Sequence, residues 1–188
     1  MASQPARAEG PSRDALWSQR FRQPLQLTTM AADWLAAAGN DPGARAFGEL
    51  QMAWGHRYRN ELAPAEQRLA RALALYQSLD DEAGLANCRD LAATLWSAQR
   101  RHGDALRLLD ANAAIAPSRR PPIERLITHD RRGFLHDMLG DRDESLRERY
   151  AALDAAGESG DPAAIGFTLG MLGGVQADLY NLEDADQL

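Results

Sequence analysis

Apolar and small residues recur along this chain at helical spacing, and the recurrence itself repeats every 40 residues. Ala65, Leu69, Ala72, Leu73 and Tyr76 fall at the i, i+4, i+7, i+8 positions of one helix face, and Ala105, Leu109 and Ala113 follow one period later. No stretch of any length alternates apolar and polar residues as an amphipathic strand does. The pattern predicts an all-α chain.

The period is sharpest where helices should begin. Pro24, Pro64, Asp104, Glu144 and Asp184 form a column of residues suited to a first helical turn, because proline has no N–H to leave unpaired there and acids suit the positive helix end. The next column, Leu25, Ala65, Ala105, Ser145 and Ala185, is small in four of five places, which lets two helices cross closely. A second start signal stands at Asp41-Pro42, Asp81-Glu82, Pro121-Pro122 and Asp161-Pro162, mostly an N-cap acid before proline or glutamate. Each repeat thus starts two helices, A and B.

The boundaries follow: a disordered tail over 1–12, a degenerate first hairpin over 13–38 closed by Gly39, full repeats over 39–78, 79–118 and 119–158, and a shortened one over 159–188. In the last repeat helix A should span about 162–179, and helix B has barely begun at Glu183. A solenoid needs a polar cap over its last apolar face, so the expectation is a fragment of a longer protein.

The Leu172-Gly173 pair with Ala185 twelve residues on, and Ala105 with Pro117, resemble the tetratricopeptide repeat (TPR) family in the 40-residue form of bacterial signalling regulators. The resemblance covers about 39–188. Repeat three departs from it, with Arg132-Gly133 and Ser145 at the matching places, and the usual helix-A tyrosine appears as Trp96 in repeat two alone. What the resemblance implies is an α-α superhelix, one TPR-like solenoid over 13–188, whose A helices line a concave groove. The ligand positions carried over are Leu50, Trp54, Arg57 and Tyr58; Asn87, Asp90, Thr94 and Ser97; Asp130, Phe134 and Asp137; and Asp178. Their four carboxylates and three large aromatics describe an acidic groove with apolar pockets, suited to a protein or peptide carrying Arg or Lys. The alternative occupation of Trp54 and Phe134 is ordinary core, with the aspartates as a wetted face.

Composition narrows the remaining choices. A net charge of −6 argues against a general affinity for nucleic acid or anionic membrane. All 21 basic residues are Arg, a coding bias with no functional reading. Cys88 is the single cysteine, so no internal disulfide forms, and a cytoplasmic location is the expectation. The segment MASQPARAEGPS lacks the apolar core of a signal peptide.

Catalysis is not indicated, and no cofactor or metal is expected. His129 and His136 stand two turns, about 10 Å, apart on a helix, too far to share one ion. Cys88 reads as a half-buried inert thiol, and no nucleophile motif surrounds any serine. Gly166, Gly170, Gly173 and Gly174 lack the strand that a phosphate loop requires and predict close helix packing. The expected role is therefore a non-catalytic protein- or peptide-binding module. Two alternatives stand beside it. One is a regulatory amino-terminal segment of a signalling protein such as a diguanylate cyclase or transcriptional regulator. The other is self-association as a homodimer through the uncapped C-terminal face, with Met171, Leu172 and Leu179.

Overall fold

A computed structural model describes the backbone of residues 11–113 and 115–185, and the side chains of 11–112 and 115–176. The acid-proline signals set the A helices: α3 (Pro42–Tyr58), α5 (Glu82–Ala98), α7 (Pro122–Met138) and α9 (Pro162–Ala185). Asp41 accepts from the amides of Gly43 and Ala44 at 2.9 and 3.2 Å, Asp81 from Gly84 at 2.9 Å, and Asp161 from Ala163 at 2.9 Å. The B helices are α4 (Leu62–Ser78), α6 (His102–Ala113) and α8 (Arg142–Ser159), each with the expected first-turn residue in third place. Before them come α1 (Arg13–Arg22), a 3-10 turn at Pro24–Gln26, and α2 (Leu27–Ala37). Among the described residues there is no strand, and the chain is all-α.

The turns keep a finer period than the helices. Positive φ occurs at Asn60, Asp80, Arg100, Gly140 and Gly160, a grid of 20 residues, and at Gly39 just before it. Such a left-handed residue ends a helix by letting the next amides reach back to its last carbonyls: the Asp81 and Asp141 amides bond the carbonyls of Tyr76 and His136 at 3.1 and 2.9 Å. The grid fails at 120. Pro117 stops α6 early, a 3-10 turn over Pro117–Arg119 follows, and Arg120 is extended, with φ −130°.

Consecutive helices pack in order: α3 on α4, α5 on α6 and α7 on α8, with each B helix also meeting the next A helix, while α3 touches α5 and α5 touches α7. The small column works as expected at Ala65, Ala105 and Ser145, all fully buried, whereas Leu25 is 61% exposed because it lies in the 3-10 turn. Leu73 of the α4 stripe is also partly in solvent, 37% exposed.

Three sequence expectations need correction. Asp184 does not start a helix B: α9 runs unbroken to Ala185, and the sequence from 175 to 185 holds no Gly or Pro to stop it. Gly166, Gly170, Gly173 and Gly174 mark no close packing among the described residues, since a Cβ on any of them would meet nothing there within 4 Å. The tight crossings lie at other glycines. A Cβ on Gly84 would come within 2.1 Å of the Tyr76 ring, and one on Gly55 within 2.6 Å of Thr28. The third concerns the first hairpin. Its two helices form, but α1 is not spent on α2: it also packs on α9 and reaches α3 and α7. The tail expected over 1–12 gives up Ser12, whose hydroxyl caps α1 by accepting from the Ala15 amide at 3.1 Å; residues 1–10 lie outside the described residues.

Candidate functional site

Part of the face on which the A helices were expected to receive a ligand is already filled, by α1. The Trp17 ring packs 5.9 Å from Phe47 of α3, and Phe21 lies 5.2 Å from Phe167 of α9. Arg13 caps the Phe47 ring at 4.4 Å and approaches Glu124 of α7 at 3.6 Å, and Arg22 approaches Asp161 at 3.6 Å. Arg20 is buried between the Trp17 and Trp54 rings, at 4.1 and 4.4 Å, and donates to Oε1 of Gln51 at 3.2 Å. Burial pulls its guanidinium down to about 9, partly offset by Tyr58, Asp90 and Glu124, so it stays charged near neutrality.

Of the residues placed in the groove by sequence, Leu50 and Trp54 are buried, with Trp54 stacked on the exposed Tyr58 at 5.8 Å. Asn87, Asp90, Thr94 and Asp130 are buried as well, so the open acidic groove does not form from them. Asp90 accepts from Arg120 Nη2 at 2.9 Å, Thr128 Oγ1 at 2.7 Å and Asn112 Nδ2 at 2.9 Å. Asn87 accepts from the same Arg120 nitrogen at 2.8 Å. Asp130 is held by Arg131 at 2.5 Å and faces Arg149 at 3.6 Å. Arginines thus neutralise both carboxylates within the helix packing. Arg120, Asn112 and Arg149 were missed in sequence because helical spacing does not separate a buried polar residue from a wetted one. The break in the left-handed grid at 120 is visible only in the backbone dihedrals, since positions 100 and 120 both carry Arg.

Arg57, Thr94, Ser97 and Phe134 do come together. With Arg100, His102 and Arg131 they line a cavity of about 540 Å³ at the C-terminal ends of α3, α5 and α7, and no carboxylate lines it. Asp137 is half-buried outside that lining, and the Asp178 side chain lies outside the described residues. A smaller cavity of about 220 Å³ separates α1 from α3, α7 and α9, and Arg131 borders both.

The remaining candidates behave as structural groups. His129 Nδ1 meets Glu148 Oε2 at 2.8 Å and His136 Nδ1 meets Asp141 at 3.4 Å. Cys88 is more deeply placed than expected, 2% exposed, and burial pushes its thiol up to about 12, which makes it a poor nucleophile. In the face expected for self-association, Leu172 is buried and Met171 half-buried, while Leu179 lies outside the described side chains. No described helix is long and apolar enough to cross a membrane. Comparison with protein-family models, curated proteins and solved structures gives no match to this chain.

Proposed function

We propose that this chain is a non-catalytic, TPR-like interaction module whose ligand is a basic, aromatic helix of a protein partner, received on the face shared by α3, α7 and α9. One observation carries the reading: that face already holds such a helix, the chain's own α1, through Trp17, Phe21 and the buried Arg20. An amphipathic helix laid into a groove by aromatic anchors is a recurrent mode of peptide recognition, and Arg and Trp are the residues that dominate such interfaces. Here Glu124, Asp161 and the Trp54 ring supply the acceptors. Residues 13–22 stand in the position of a partner helix, tethered in cis. A short tether gives an effective concentration on the order of millimolar, so a partner must outcompete α1 to enter.

The test uses a labelled peptide spanning residues 12–23, read by fluorescence anisotropy against the full chain and against a Trp17→Ala/Phe21→Ala variant. The variant, with its own helix loosened, should bind the peptide at least about tenfold more tightly than the unaltered chain, and a peptide carrying Arg20→Glu should bind neither. A folded variant that does not bind the peptide would sink the reading.

A further inference from the structure

The cavity at the ends of α3, α5 and α7 has the wrong charge for this protein. The chain carries a net charge of −6, yet the lining of that cavity contains Arg57, Arg100, Arg131 and His102 and no acid. Buried and half-buried arginines elsewhere are partnered: Arg120 with Asp90, Arg20 with Gln51 and two indole rings, Arg68 with Glu49 at 3.0 Å, Arg132 with Glu148 at 2.6 Å. Arg57 is not. Its side chain makes no ion pair and no hydrogen bond among the described residues, and its Nε is buried without an acceptor. Burial and the neighbouring Arg131 both disfavour its charged form, and no carboxylate opposes them. Arg131 commits Nε and Nη2 to Asp130, and its Nη1 has no hydrogen bond among the described residues.

A half-buried guanidinium with an orphaned donor costs free energy unless something accepts from it. We propose that this cavity is a binding site for a small organic anion, one whose carboxylate or phosphate is held by Arg57 and Arg131 and whose apolar body lies on Phe134 and Leu135. The planar fork of Arg suits bidentate capture of either group. Ser97 Oγ, 3.1 Å from His102 Nδ1, adds a hydroxyl at the rim. The volume of about 540 Å³ falls within the range of small-molecule sites. The negative end of α5 is met by the positive start of α6 at His102, and the arginines must outweigh the C-terminal ends of α3 and α7. The site adjoins the seat of α1 through Arg131 but does not depend on α1 being a ligand.

Titration calorimetry of the full chain with phenylacetate, phenyl phosphate and the neutral phenylacetamide tests this. At least one anion should bind at least about tenfold more tightly than the amide, and its binding should weaken with added salt. Which of the two binds better identifies the group the site prefers. Arg57→Gln should cut anion affinity by about tenfold or more and leave the amide unchanged. Ser97→Asp, which installs a carboxylate among the arginines, should abolish anion binding while raising the melting temperature. Equal affinity for anions and amide, no anion binding up to about 10 mM, or affinity unmoved in both variants would each overturn the proposal.

Discussion

Single side chains in this molecule differ chiefly in whether a buried charge has its partner. Arg120 does: at 4% exposure it donates to Asp90, Asn87 and Thr128 and ties α5 to α7. Removing it takes the charge partner from Asp90, whose carboxyl burial already raises, so Arg120→Ala should cost about 3–5 kcal/mol in urea denaturation. Glu124 is the opposite case. Its Oε2 has no partner, and its carboxyl is raised above the ordinary range, first by burial, against the pull of Asn87, Arg13 and Arg120. A carboxyl raised in the folded state holds more protons there than in the unfolded chain, so stability falls as pH rises from the unfolded value to the folded one. Glu124→Gln should therefore stabilise the protein at pH 7 relative to the unaltered chain and lose that advantage below about pH 4, a crossover that denaturation at the two pH values will show.

Among the helices, the glycines decide where elements touch. Tyr76 of α4 lies so close to Gly84 of α5 that a methyl there must displace a buried ring, and Gly84→Ala should cost about 1–3 kcal/mol. Gly170 in α9 is open on every side, so Gly170→Ala should stabilise that helix by about 1 kcal/mol. Opposite shifts in melting temperature from the same chemical change check both. Arg100 is the one long side chain on the grid of left-handed turn residues, with φ +61°. Asn, Asp and Gly hold the other positions because they tolerate that conformation.

At the scale of the whole molecule, the helix hairpins are joined through successive neighbours, but α1 bridges residues far apart in sequence, from Phe47 to Phe167. It is short, ten residues, and its anchors are three apolar or aromatic side chains and Arg20. Hydrogen exchange should find α1 opening at lower free energy than α3, α5 and α7, which are longer and each packed on several other helices. Equal protection across all four would show that α1 is an integral part of the core and not an exchangeable occupant.

The 40-residue period, the helix starts and the small crossing residues were legible from the chain because capping, proline placement and 3.6-residue spacing are local properties carried by neighbouring residues. Asp41, Asp81 and Asp161 cap helices wherever the rest of the chain lies. The site was legible only in part. Arg57, Thr94, Ser97 and Phe134 were read on one face and do share a cavity, yet Asp90 and Asp130, chosen by the same register, are consumed by Arg120, Arg131 and Arg149. Whether a charged residue on a helix is wetted, paired or orphaned depends on which distant side chain arrives beside it, as Arg120 does 30 residues from Asp90. The period determined the elements; the tertiary structure decided that α1 fills part of their common face and that the remaining opening is positive, because both follow from long-range packing that no local pattern encodes.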